Sequence, residues 1–435
     1  MAALMQVSPM NSPLFRLPRH GLWRHRDFLR LWVGQGVSTL GTMIGRPAMT
    51  FTAILVLDAT PAQVALLAAM DILPGMLVGL HAGAWVDRLR RRPILIATDV
   101  GRCIVLLTVP VVAMLGVLRI EQLYAVALLV SLLSVFFHVA WQAYLPSLVR
   151  KDQLLEGNSK LAASAAVAEF TGFGVAGALV HLLTAPVAVL LDAFSFLGSA
   201  LALRGIRTQE ARPAQPARPE PMRRAIVDGI HAVFAQPLLR ALVLCNISMD
   251  LAGGIFGALV VLYMSRELGF SPAVLTPIWA VGGFASLLGA MWAARITARA
   301  GVGPTLILAV LGVGIGMLFV PFAAGATLLA AALLVAQQLL GDVAATVFDI
   351  NQSTLRQHLA PAAMLGRVNA TLHLDKQAAA LAGTLLGGVL GTWIGVREAL
   401  AVAGVLTLLS ALWLALSPLR HLVRHPADAL ADADG

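Results

Sequence analysis

GAWVDRLRRR, residues Gly83–Arg92, decides the reading of this chain. Five apolar or small residues share the stretch with one carboxylate and four arginines. An apolar run, Gln63–Val86, precedes it and another, Ile94–Val117, follows. A charge cluster between two such runs has no place in a water-soluble core. At a bilayer edge it acts as a stop, because Lys and Arg are retained on the cytoplasmic face. Asp87 falls at a helix end, near the arginines and open to any helix N-terminus, whose dipole favours an anion. Either the loop is only a charged turn or it has a conformational role, and the residue spacing taken up below favours the second.

The composition agrees with a membrane setting. Of 435 residues, 59% are apolar and 12% charged, and the mean hydropathy is +0.83. Runs of about 18 or more apolar residues recur along the whole length, which excludes a soluble globular domain. The net charge of +9 would suggest nucleic acid in a soluble protein. Here the cations sit in short loops between apolar runs, so the bilayer is the expected partner and nucleic acid is not. Cys103 and Cys245 lie inside apolar runs without metal-ligand spacing and read as small buried hydrophobes, so no metal or cofactor is expected. The first apolar run is too long for a cleavable signal and no cleavage pattern follows it. Arginine outnumbers lysine 28 to 3, which hints at a GC-rich bacterial genome and so at an inner (plasma) membrane.

A crossing helix needs about 20 apolar residues. That criterion gives twelve spans, at 31–56, 63–86, 94–117, 122–144, 160–183, 185–204, 238–264, 272–295, 304–324, 326–349, 369–394 and 397–416. With the N-terminus inside, the cytoplasmic segments hold 25 Lys and Arg and the outer loops three, Arg119, Arg266 and Arg397. This asymmetry places both termini in the cytoplasm. The expected organisation is a tail (1–27), a six-helix bundle (28–204), a linker (205–237), a second six-helix bundle (238–417) and a tail (418–435). In the linker, RTQEARPAQPARPEP reads as extended and flexible, and Met222–Phe234 as a short amphipathic helix at the inner surface.

The two halves resemble each other at an offset of 211 residues. Leu148 and Asn158 fall on Leu359 and Asn369, and Gly172 and Gly177 on Gly383 and Gly388. Four matches at one offset support an internal duplication of the kind found in secondary transporters. The fold class expected is therefore an all-α integral membrane protein, twelve transmembrane helices in two pseudo-symmetric bundles.

On these residues the chain resembles the major facilitator superfamily. The family's loop between helices 2 and 3 follows Gly, three apolar positions, Asp-Arg, a free position, Gly and two basic residues. Gly83, Asp87, Arg88, Arg91 and Arg92 keep that pattern, while Arg90 stands where the family prefers Gly. The resemblance implies that this loop latches the two halves together in one access state. FLRLWVGQGVSTLG (Phe28–Gly41), DVGRCIVLL (Asp99–Leu107), WQAYLPSLV (Trp141–Val149), LLDAFSF (Leu190–Phe196) and LGRVNA (Leu365–Ala370) look like the branch holding the enterobactin exporter and the macrolide-efflux pumps. The chain departs from that branch at Thr42, where many relatives are acidic, and at Trp141, where many carry Arg. It also lacks the proline of the antiporter pattern around Gly172 and Gly177. The fold thus follows from the resemblance, whereas the coupling chemistry has to be read from this chain's own residues.

Ionisable residues deep in a bilayer are costly and mark function by default. Arg46 and Asp71 lie on antiparallel neighbouring helices at similar depth and are expected to pair, as a structural bridge or as part of a site. Glu169 and Asp250 are central acids without a cation nearby in sequence. The resemblance implies that helices 1, 4, 7 and 10 line a central cavity, which favours Asp250 and Asp342 as cavity groups. Asp99 and Arg102, spaced i,i+3, read as a local structural pair, and Asp192 as a helix-packing acid. His138 is either a titrating group or simply hydrogen-bonded. Gly172, Gly177, Gly383 and Gly388 allow close helix approach.

These features point to a secondary exporter of small amphipathic molecules, of drug or macrolide type, driven by protons and functional as a monomer. Siderophore or metabolite export and a transport-inactive sensor or scaffold are the alternatives. No enzyme activity is expected: the lysines, Lys151, Lys160 and Lys376, fit no phosphate-binding loop, and neither HExxH nor GxSxG occurs.

Overall fold

The computed structural model describes residues 22–86, 88–150, 153–208, 210, 234–359 and 365–422. Twelve long helices account for most of them. The first half holds α1 (Arg26–Phe51), α2 (Pro61–Val86), α3 (Arg91–Met114), α4 (Ile120–Leu148), α5 (Leu154–Leu183) and α6 (Ala185–Arg204). The second holds α7 (Pro237–Leu262), α8 (Pro272–Ala300), α9 (Val302–Phe322), α10 (Leu328–Leu359), α11 (Leu365–Trp393) and α12 (Val396–Ala415). Among the described residues, nine of these helices are long and apolar enough to cross a membrane, and α1, α5 and α11 fall short. In α1 and α11 the deficit has a physical cause. They turn Gln35, Thr42, Arg46 and Gln377 toward an internal cavity, so part of each face is polar by necessity.

Helix ends overrun the apolar windows where the flanks are helix-forming. The tenth helix continues through NQSTLRQH to Leu359, past the expected end at 349, because neither Gly nor Pro interrupts it before Pro361. The expected amphipathic segment Met222–Phe234 lies outside the described residues except for Phe234.

The 211-residue offset recurs in the backbone. It carries the start of α1 onto α7, of α2 onto α8, of α5 onto α11 and of α6 onto α12. Both α1 and α7 end in a single π turn, Thr52–Val56 and Tyr263–Glu267, again at that offset. The residues two beyond each turn, Asp58 (φ 50) and Gly269 (φ 74), are both left-handed. Packing repeats as well. In each half the first helix packs on the fifth and sixth, the second on the fourth, and the third on the fourth and sixth.

Between halves the main contacts are α5 with α8 and α2 with α11. The expected packing glycines make these seams. Gly177 lies against the Pro272 carbonyl and Thr276, and Gly388 against Ala62 and Ala65. Gly172 meets Met43 of α1, and Gly383 meets the backbone of Leu251 on α7. At each position a Cβ would collide, so small residues are needed for the helices to come together. Cys103 and Cys245 are free and buried.

Candidate functional site

The seams between halves gather at one end of the bundle, where the α1–α2 and α7–α8 connections lie. Arg266, in the π turn after α7, closes this end from the second half. It bonds the Ala59 carbonyl at 2.8 Å and the Ile54 carbonyl at 3.0 Å, and pairs with Asp58 at 2.5 Å. Phe51 and Trp279 stack across the same junction at 6.3 Å. Below them, toward the end that carries the α2–α3 arginines, a cavity of about 750 Å³ opens between the halves.

Arg46 and Asp71 meet in this cavity. The Arg46 Nη2 donates to Asp71 Oδ2 at 2.5 Å, and the two side chains remain 63% and 38% exposed. That exposure decides between the two roles left open by the sequence. A pair so accessible contributes about 0–1 kcal/mol to stability, so it presents charge to whatever fills the cavity. Asp250 lines the cavity from α7, opposite, with Gln377 and Thr384 of α11 beside it.

Asp342 takes another place. Its carboxylate lies where a Cβ on Gly282 of α8 would stand, and it is not among the residues lining this cavity. The backbone of Glu169 belongs to α5, but its side chain lies outside the described residues.

A second polar group, read from sequence as merely structural, sits in the cavity wall. Arg102 (4% exposed) bonds Asp99 (0%) and approaches Ser134 at 3.4 Å. Its guanidinium carbon lies 4.2 Å from the Phe137 centroid and 4.0 Å from that of Phe196, a cation held between two aromatic faces. Asp192, buried at 4%, fills the space beside Gly41 and Gly45 of α1 and accepts a hydrogen bond from Ser195 Oγ at 3.3 Å. His138 lines the same wall. The i,i+3 spacing of Asp99 and Arg102 was visible in sequence. Their convergence with Asp192, 90 residues on, needs the packing of α3 against α6.

The arginine loop makes its described contacts within the first half. Arg91 and Arg92 donate their backbone N–H groups to Glu210 Oε2 at 2.7 and 3.3 Å, and Arg91 Nη1 reaches Glu210 Oε1 at 3.2 Å. Glu210 thereby caps the N-terminus of α3, a favourable place for an anion. Arg92 bonds the Leu203 and Arg204 carbonyls at the end of α6. Asp27 holds the same segment from the other side, accepting from Arg207 N, Thr208 N and Thr208 Oγ1. Partial burial works against its charge, but the bonds from Thr208, Arg207 and Arg30 outweigh it and keep the Asp27 carboxyl below its ordinary value. The expected linker is thus tied to the first bundle at Thr208 and Glu210. Arg88 is exposed, Gly83 has open space where a Cβ would point, and Asp87 lies outside the described residues.

Two pseudo-symmetric six-helix halves around a central polar cavity define a multi-pass membrane transporter of the alternating-access type. The Major Facilitator Superfamily profile matches residues 31–374, and the chain belongs to that family. It is 25% identical over 420 residues to the uncharacterized MFS-type transporter YfiS of Bacillus subtilis (strain 168), covering 92% of this chain and 93% of that protein. It is also 25% identical over 374 residues to the multidrug efflux pump Tap of Mycolicibacterium fortuitum, covering 82% and 88%. Among solved structures, the nucleoside transporter NupG superposes with a TM-score of 0.72 at 12% identity, covering 90% of this chain and 98% of that one. An inward-facing bacterial homologue of the iron transporter ferroportin gives 0.71 at 19%, with coverage of 90% and 98%.

Proposed function

We propose that this protein is a proton-driven exporter of small amphipathic molecules, working by alternating access in a bacterial inner membrane with both termini cytoplasmic. The observation that carries the reading is the cavity of about 750 Å³ holding Arg46, Asp71 and Asp250, sealed at the Arg266 end and reaching toward the arginine loops. With the arginines inside, this is the state that receives a substrate from the cytoplasm or the inner leaflet. Asp250 is the proton-exchanging acid in this reading. Arg46 and Asp71 form a pair that a charged substrate opens, and the loop Gly83–Arg92 stabilises the alternate state. The similarity to Tap favours a drug-like substrate over a siderophore or metabolite.

The test is flux in proteoliposomes, in which ethidium movement is followed under an imposed proton gradient and wild type is compared with Asp250→Asn. Gradient-dependent flux lost in a well-folded variant supports the reading. Flux that persists moves the proton to another acid, and no gradient-dependent flux with any compound favours the sensor or scaffold alternative.

A further inference from the structure

Asp250 borders two cavities. Besides the central one, a cleft of about 470 Å³ runs inside the second bundle, walled mainly by α7, α10 and α11. From Asp250 it descends past Asn246 and Gln352 to Asp349 and Arg356, near the arginine-loop end of α10. Asn246 Nδ2 donates to Gln352 Oε1 at 2.7 Å, and Gln352 Nε2 to Asp349 Oδ1 at 2.8 Å. Asp375 and Lys376 of α11 line the same cleft, and Lys376 and Asp349 are the charges that act on Asp250 through space. A polar space of this size holds on the order of ten waters.

We infer that this cleft is the proton's own route between Asp250 and the cytoplasmic side, separate from the substrate's route through the central cavity. The inference rests on Asp250 being the exchanging acid. In the inward-open state the Asp250 carboxyl passes its proton to cleft water, which carries it past Gln352 to Asp349 and the exterior. The carboxylate left behind faces Lys376. No covalent bond other than the O–H changes, and the charge separated is that of the proton alone. Two routes to one acid have a mechanistic use. A substrate filling the central cavity can displace the proton without blocking its exit.

The experiment measures ethidium in proteoliposomes of phosphatidylethanolamine and phosphatidylglycerol, both as gradient-driven flux and as gradient-independent counterflow. Gln352→Leu, which places an apolar side chain in the cleft, is expected to lower gradient-driven flux at least tenfold while leaving counterflow within twofold. Asp349→Asn, close in shape, is expected to shift the pH of half-maximal driven flux without altering counterflow. Driven flux and pH profile unchanged in both variants would overturn the route. If Asp250→Asn keeps driven flux, the parent reading fails instead. If Asp250→Asn loses it while both cleft variants keep it, only the separate route fails. Should Gln352→Leu also lose counterflow, the Asp349→Asn pH profile decides.

Discussion

Gly177 and Gly388, 211 residues apart, make the same contact on opposite sides of the molecule. Each receives the first turns of the other half's second helix, Pro272 and Thr276 in one case, Ala62 and Ala65 in the other. Pro61 and Pro272, which start those two helices, are related by the same offset.

Side chains at these glycines should therefore prise the sealed end apart. Gly177→Val or Gly388→Val is expected to expose the cavity from the Arg266 side. Labelling of Met49→Cys by a membrane-impermeant maleimide added outside checks this. Labelling no faster than in the parent protein would mean the seams do not control closure.

Thr184 offers a stability test. It begins α6 with φ 78 and ψ 154, a conformation suited to glycine, and its counterpart before α12 is Gly395, φ 104 and ψ 154. Strain of this kind costs about 1–3 kcal/mol. Thr184→Gly should raise the melting temperature in detergent, offset in part by the greater freedom of the unfolded chain. Gly395→Thr should lower it. Equal effects of one sign would refute the argument.

Arg102 should tolerate no simple replacement. Arg102→Met leaves Asp99 buried without its cation, a loss of about 3–5 kcal/mol. The double variant with Asp99→Asn should recover part of it. Arg102→Lys keeps the charge but loses the planar fit between Phe137 and Phe196, and should fall between the two. Thermal unfolding of all four proteins gives the coupling; strict additivity would show that the pair does not act as a unit.

Asp27 carries a pH dependence of defined sign. Because its carboxyl is held below the ordinary value of 3.8, its contribution is complete above 3.8 and disappears as pH falls through the lowered value. Amide exchange at Arg207 and Thr208, corrected for intrinsic rate, should stay slow at neutral pH and quicken only on strong acidification. Asp27→Asn should exchange fast at neutral pH, with little further change in acid. Slow exchange in the Asn variant would place the clamp elsewhere.

Much of the fold was legible in sequence because hydropathy and a repeated offset both report long, regular elements. The span 185–204 coincides with α6, and the 211 offset found from four residues reappears in helix starts, π turns and left-handed residues. Arg46 and Asp71 could be brought together from depth alone. Other parts of the site were not legible. Apolar windows cannot see a polar helical tail such as that of α10, and so they hid the cleft below Asp250. Asp342 depended on helix rotation, which a span count does not fix; it turns to Gly282 of α8. Glu210 read as linker because its partners, the N–H groups of Arg91 and Arg92, are distant in sequence.

The sealed end also breaks the duplication. By the repeat, Arg266 corresponds to Leu55, an exposed apolar residue, so the gate is bolted from one side and merely rests on the other. Opening it must break one set of arginine contacts rather than two. The hydrogen bonds of a charged group to carbonyls contribute about 1.5–3 kcal/mol each. A single bolt therefore keeps the energetic gap between access states small enough for thermal motion, biased by one bound molecule, to drive the exchange. Unequal halves make the swing hinge-like, beginning at the bolted corner and finishing at the bare one.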